Sequence, residues 1–251
     1  VVIVGSSLAG LRAAETLRLE KYEGRIVIVG AEDRQPYDRP PLSKKVLSGE
    51  WEADRISLRK PEDLAKLNID WKLGSAATSL NTITRTITLA SGETIAFDGL
   101  IIATGSGVRK LPNQPDWKGV HVVRTLDDSL ALRANLNPGA RVVVIGAGFI
   151  GLEVAATAKN RGCEVTVLEG APAPMMRGLG ADMGHAAALV HTDHGVSMRF
   201  NVKVAGLTEG EAGCVGGVAL DDGEIVPADV VVVGIGVAPA TQWLENTELE
   251  L

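Results

Sequence analysis

Two three-layer α/β domains of the Rossmann type are what this 251-residue sequence predicts. Three observations carry the prediction. First, the opening "VVIVGSSLAGLRAAETLR" reappears as "RVVVIGAGFIGLEVAATAK" at 141–159: a β-branched run, a Gly turn, then an Ala-rich helical pattern. Second, each copy is followed by a strand ending in an acid, "RIVIVGAE" to Glu32 and "CEVTVLE" to Glu169. Third, each half later closes with an apolar run ending in glycine, "FDGLIIATG" to Gly105 and "ADVVVVGIG" to Gly236. Strand, helix and strand in that order call for a parallel sheet. The composition agrees, with 29 glycines and only 4% aromatics, which suits many tight strand-to-helix turns better than an aromatic-packed sandwich.

The segments between follow in order. Val1 is expected to lie already in a buried strand. "PYDRPPLSKKVL" at 36–47 reads as a stiff loop, because Pro36, Pro40 and Pro41 fix the backbone. Residues 69–102 read as short strands, with a hairpin around Ser91-Gly92. "RKLPNQPDWKG" at 109–119 reads as the domain boundary, and 127–135 as a short helix leaving through "NPGA". Residues 181–194 read as a helix ended by Gly195, and 197–233 again as short strands. The division expected is a first domain over 1–111, a second over 112–239, and at 240–251 the start of a segment returning to the first. Val1 has no Met before it and Leu251 ends a polar stretch, so the chain is read as a fragment of a longer one, with the first domain's last strand and a C-terminal domain beyond it.

Composition also excludes classes. A net charge of −6 argues against broad nucleic-acid binding. There is no apolar run of 18 residues and no signal peptide, so no membrane partner and a cytoplasmic location are expected. Cys163 and Cys214 lie too far apart in sequence for a redox pair and show no zinc spacing, so two reduced thiols and no metal are expected.

The second Gly turn is the complete one. Gly146, Gly148 and Gly151 fill G-x-G-x-x-G between a strand and a helix, and Glu169 follows Gly146 by 23 residues (169 − 146). The first glycine permits the tight turn, the second lets the backbone approach a pyrophosphate, and the third lets helix and strand pack closely. The helix N-terminus faces the anion and the acid takes the ribose hydroxyls. A carboxylate there repels a 2′-phosphate, which favours NADH over NADPH. Arg177, eight residues past Glu169 (177 − 169), is either an ordinary solvated arginine or a contact to pyrophosphate or adenine; the second is preferred. The first turn has Gly5 and Gly10 but Ser7 in the middle place, with Glu32 27 residues past Gly5 (32 − 5). Chemistry alone leaves Arg39, Lys44 and Lys45 in the Pro-rich loop evenly balanced between a surface role and contact with a ring system and its phosphates.

"PYDRPPLSK", "IIATG", "HVVRTLDD", "GAGFIGLEVAA", "GCEVTVLE" and "VVVGIGVAP", in that order from Val1 to about Pro239, resemble the FAD-dependent NADH:ferredoxin reductases. These are flavoproteins of the pyridine nucleotide-disulfide oxidoreductase group, close to rubredoxin and putidaredoxin reductases. The resemblance implies two FAD/NAD(P)-binding domains, with FAD and NADH as cofactors. It places Gly5, Ser7, Leu8, Ala9 and Gly10 at the FAD pyrophosphate and Glu32 at its ribose. Arg39, Pro40 and Lys44 fall on the flavin side, Ala77 at the adenine, and Ala103, Thr104, Gly105 and Arg124 also at FAD. Gly146, Gly148, Phe149, Ile150, Gly151, Glu169 and Arg177 fall to NADH. Glu153 sits where nicotinamide meets isoalloxazine, paired with Lys44 as the catalytic couple, and Ile235 and Gly236 line the nicotinamide pocket. Hydride transfer between two cofactors needs alignment and dryness more than side-chain chemistry. His121, His185, His191 and His194, none within a nucleophile motif, are therefore read as structural or exposed. The implied acceptor is a ferredoxin or rubredoxin-type iron–sulfur protein serving an oxygenase. The alternatives are an NADH oxidase, a nitrite-reductase-like flavin subunit, or an NADH-binding redox module like apoptosis-inducing factor. The lack of a close cysteine pair argues against disulfide reductases, and nothing in the sequence fixes the oligomeric state.

Overall fold

The computed structural model describes residues 1–211 and 213–250; Leu251, the last residue of the expected return segment, lies outside the described residues. Contacts divide the chain into two units. The first comprises Val1–Asp38, Asp54–Gly107 and Pro239–Leu251. Its sheet is parallel, in the order Ile69–Lys72, Ile26–Val29, Val2–Val4, Leu100–Ile102. Val2–Val4 and Ile26–Val29 are buried throughout, as continuous apolar runs in a covered parallel sheet must be. Side chains alternate across it. Ile3, Ile26 and Ile28 pack with Ala14 and Leu17 of the helix Leu8–Leu19. Val2, Val4, Val27 and Val29 meet Leu80, Ile87, Leu89 and Ile95 of an antiparallel sheet, Ala77–Asn81, Thr86–Leu89 and Thr94–Ala96. Trp243 and Leu244 complete that core, so helix, parallel sheet and antiparallel sheet form three layers. The strand begins at Val2, and Val1 is only half-buried.

The second unit comprises Arg39–Ala53 and Val108–Ala238. Five parallel strands run in the order Ser197–Arg199, Glu164–Leu168, Arg141–Ile145, Val230–Val233, Val120–His121. The antiparallel strands Val204–Glu209, Val215–Leu220 and Ile225–Pro227 pack Val215, Val218, Leu220 and Val226 against Val143, Ile145, Val231 and Val233. Thr125 and Asp128 form a capping box that starts the helix Leu126–Asn135: each side chain accepts the other's backbone N–H. The helix expected from 181 begins at Met176 and ends at Asp193, but Gly180 (φ 76°, ψ 178°) interrupts it, so a single turn stands apart from the main body.

One placement differs from a contiguous first domain over 1–111: residues 39–53 cluster with the second unit. The prolines explain it. Pro40 and Pro41 donate no hydrogen bond, so the short helices Pro40–Ser43 and Lys45–Ser48 cannot extend a sheet and leave carbonyls in need of donors. The second unit supplies them. Ser129 Oγ donates to the Leu42 carbonyl (2.6 Å), Thr157 Oγ1 to Ser43 (2.9 Å) and Arg161 Nη1 to Ser48 (2.9 Å). Val46 and Leu47 are fully buried there.

Arg141 and Asp229 tie the starts of neighbouring strands, with Nη2 2.5 Å from Oδ1 and the Arg141 N–H donating to Oδ2 at 2.8 Å. The hydrogen bond from the Arg141 side chain, with its charge, holds the Asp229 carboxyl below the usual 3.8. A carboxyl lowered in the folded state stabilises above its ordinary value, and that contribution fades as pH falls through the lowered one. Both groups are half-exposed, so Asp229→Asn is expected to cost no more than about 1 kcal/mol at neutral pH. Denaturant melts of parent and variant should begin to converge only as pH falls below about 4.

Among the described residues no helix is long and apolar enough to cross a membrane, and no group of three or more His, Cys, Asp or Glu could hold a metal. Both cysteines are free; Cys163 is buried, which pushes its thiol up, and Cys214 is half-buried.

Candidate functional site: two glycine turns and a charge pair

The two turns are built alike atom for atom. Gly5 has φ +123° and Gly146 φ +100°, a region where a side chain is strained. A Cβ on Gly5 would lie 2.0 Å from the Ala103 carbonyl oxygen, and one on Gly146 would lie 2.5 Å from that of Gly234. In each case the obstacle is the end of the strand that closes the half. The third glycine repeats the theme: a Cβ on Gly10 would lie 1.9 Å from the Gly5 oxygen, and on Gly151 2.1 Å from the Gly146 oxygen. The Gly5 N–H donates to Val29 and the Gly146 N–H to Leu168, both at 2.8 Å.

The middle position differs in kind. Gly148 has ordinary extended backbone (φ −76°, ψ 179°), and a Cβ there would meet nothing within 4 Å. Space, not strain, explains that glycine. Ser7 holds the same N-cap place in the first turn, also extended (φ −111°, ψ −161°), so its side chain is compatible with the turn. Neither following helix carries an acid in its first turn, and Leu8, Phe149 and Ile150 are exposed beside the turns. Open backbone, an unopposed helix N-terminus and apolar flanks fit a bound pyrophosphate with its attached rings.

Each acid is fixed by a neighbour. Glu169 Oε2 accepts from the Ala147 N–H of the turn (2.7 Å) and Oε1 from Ala171 (2.9 Å), which leaves lone pairs on both oxygens for a ribose. Glu32 Oε2 accepts from the hydroxyl of Tyr37, a buried residue of the "PYD" stretch that pattern reading alone passes over. Ala103 and Thr104 follow the closing strand of the first unit, and Thr104 Oγ1 donates to the Ala240 carbonyl (2.8 Å). Gly105 (φ 66°) comes next, and Ala77 begins its antiparallel strand, half-buried against the core.

In the second unit, Met175 N–H donates to the Ala147 carbonyl (3.0 Å), and Gly178 lies against the Phe149 ring. Arg177, between them and exposed, is thereby carried beside the glycine turn. Ile235 is partly buried against the core and Gly236 (φ 101°) has open space around it. Pro40 opens its short helix and is exposed, while Arg39 Nη1 donates to the Arg124 carbonyl (2.6 Å), joining two residues 85 apart in sequence. Lys44 Nζ stands 2.8 Å from Glu153 Oε1. Ser43 Oγ donates to Oε2 of the same carboxylate at 2.5 Å, a partner no sequence pattern marks. His121 is half-buried, and burial pushes its imidazole below the usual value.

Twin βαβ turns of this geometry define a dinucleotide-binding class of fold, and the whole chain, residues 1–251, matches the pyridine nucleotide-disulphide oxidoreductase family. The protein belongs to that family. It is 39% identical to rhodocoxin reductase of Rhodococcus erythropolis over 99% of its own length and 58% of the relative's. It is 40% identical to the ferredoxin–NAD(+) reductase component of the biphenyl dioxygenase system of Paraburkholderia xenovorans (strain LB400), over 96% of its own length and 59% of the relative's. The reductase of a covalent putidaredoxin reductase–putidaredoxin complex superposes with a TM-score of 0.95 at 34% identity, covering 100% of this chain and 61% of that one. The chain thus spans about 60% of the length of the relatives it matches.

Proposed function

We propose that this chain is the nucleotide-binding part of an FAD-dependent NADH:ferredoxin reductase. The observation that carries the reading is the pair of matched turns, each leading to a fixed carboxylate. The relatives named as ferredoxin–NAD(+) reductase parts of dioxygenase systems support it, and a cytoplasmic site of action accords with it. The first unit's Gly5–Gly10 turn would hold the pyrophosphate of FAD, with Glu32 on its ribose. The second unit's Gly146–Gly151 turn would hold that of NADH, with Glu169 on the ribose and repelling a 2′-phosphate. Bound FAD would supply a two-electron acceptor for NADH and a one-electron donor to a ferredoxin or rubredoxin-type protein. The chain's own part is to hold both nucleotides, exclude water and fix the charges nearby. Lys44 and Glu153 present a charge pair of settled geometry, which orients the nicotinamide end of the site without exchanging protons.

Purified protein should be yellow, bleach with NADH under anaerobic conditions, and then reduce cytochrome c only when ferredoxin is added. A colourless product would sink the reading for this chain, and peroxide made at full rate without ferredoxin would favour an oxidase. Lys44→Ala is expected to slow anaerobic flavin reduction by NADH about tenfold, a loss of transition-state rather than ground-state interaction. Unchanged stopped-flow rates would remove Lys44 from the catalytic machinery.

A further inference from the structure

Glu153 is gripped by side chains of adjacent residues. Lys44 takes Oε1 and Ser43 takes Oε2. The two grips are unlike. The Lys44 side chain is 45% exposed, long and able to swing, whereas Ser43 is 4% exposed. The Ser43 backbone is also fixed. Its carbonyl accepts from Thr157 Oγ1, one helical turn beyond Glu153 on Phe149–Asn160, and the preceding Leu42 carbonyl accepts from Ser129 Oγ. Ser43, Ser129 and Thr157 are the buried polar side chains among the described residues. Burying a hydroxyl is unfavourable unless it is bonded. Here every one is bonded, and every bond has Ser43 or the residue before it as donor or acceptor.

We propose that Ser43 is a positioning residue: its hydroxyl pins Oε2 of Glu153, so that Oε1 is presented to Lys44 and the ion pair takes one geometry in place of many. The inference rests on the reading of Lys44 and Glu153 as the pair that serves hydride transfer. A carboxylate and an ammonium that are each a third or more exposed gain little from pairing when both must be immobilised. Ser43 removes that cost on the carboxylate side, because a buried hydroxyl on a fixed backbone has already lost its freedom. Without it, Glu153 rotates about its terminal torsion and water competes for Lys44.

Two readouts test this, and one needs neither cofactor. Acetylation of Lys44 by N-hydroxysuccinimidyl acetate, followed by peptide mass spectrometry, is expected to run several-fold faster in Ser43→Ala and near the parent rate in Ser43→Thr. Ser43→Ala should add nothing in a Glu153→Gln background, since a residue acting through Glu153 has no effect once Glu153 is disabled. Anaerobic bleaching by NADH should follow the same cycle: about tenfold slower in Ser43→Ala, with no further loss in the double variant. Lys44 labelling that is equal in parent and Ser43→Ala, or raised by the same factor in both backgrounds, overturns the proposal. A purely structural serine would lower the melting point and leave Lys44 labelling unmoved. If NADH fails to bleach the parent protein, the functional reading falls, and Lys44 labelling alone decides the role of Ser43.

Discussion

A Gly148→Ala protein is expected to melt with the parent and to bind NADH at least about tenfold more weakly, a loss of about 1.4 kcal/mol or more. Two features set that outcome. The backbone there is extended at φ −76° and ψ 179°, so alanine adopts it without strain. A methyl group would find nothing within 4 Å, so the folded chain does not resist it. What it does occupy is the open face of the turn, at the mouth of the helix dipole, where a pyrophosphate must come within hydrogen-bonding reach of the backbone. Calorimetry with NADH, set beside a thermal melt, checks both halves. Unaltered affinity would show that the phosphate lies elsewhere, and a lowered melting point would contradict the open geometry.

Gly151→Ala is expected to do the reverse. In an exposed helix interior, glycine to alanine gains up to about 1 kcal/mol. Here the added carbon would lie 2.1 Å from the Gly146 carbonyl oxygen and 3.4 Å from Val144 Cγ1. The near obstacle is backbone, which no rotamer change can move aside. Helix and strand must separate, and overpacking of that kind costs about 3 kcal/mol or more. A fall in the denaturant midpoint of the second unit, with any NADH loss following from it, is the expected measurement. A variant as stable as the parent would mean that the helix can slide along the sheet. The two substitutions, three residues apart, thus separate the binding part of the motif from its folding part.

Much of this was legible beforehand because the repeat is physical as well as textual. The same carbonyl blocks the same glycine in both halves, so the spacing Gly5–Gly10 announces the same turn as Gly146–Gly151. Apolar runs on the scale of Val142–Ile145 and Val230–Val233 leave no choice but a covered parallel sheet. The Ser91-Gly92 hairpin follows from its glycine, which adopts φ 85°. The Lys44–Glu153 contact came from resemblance, not from pattern, since nothing local links residues 109 apart (153 − 44). Less visible were interactions that depend on one hydroxyl in a particular place. Ser43, Ser129 and Thr157 look like ordinary polar residues along the chain, and only the fold buries them. Tyr37 likewise gains its meaning when the loop after Glu32 turns back on the strand end. The main body of the helix starts after Gly180, where the sequence places it, and only the single turn from Met176 before that break has no mark in the pattern.

The Pro-rich stretch has a consequence for the order in which the protein is made. Leu42 and Ser43 emerge from the ribosome long before the side chains that hold them, since Ser129 comes 87 residues later and Thr157 114 residues later. At ordinary translation rates that is a delay on the order of ten seconds. During that time Leu42, Val46 and Leu47 have nowhere to be buried, and two prolines and two lysines interspersed with them keep the stretch from pairing as a β-edge. The chain passes between the units after Asp38, Ala53, Gly107 and Ala238. No contiguous stretch of the gene therefore encodes either unit alone, and a nascent chain halted before Ser129 holds the loop of the second unit without either hydroxyl that anchors it.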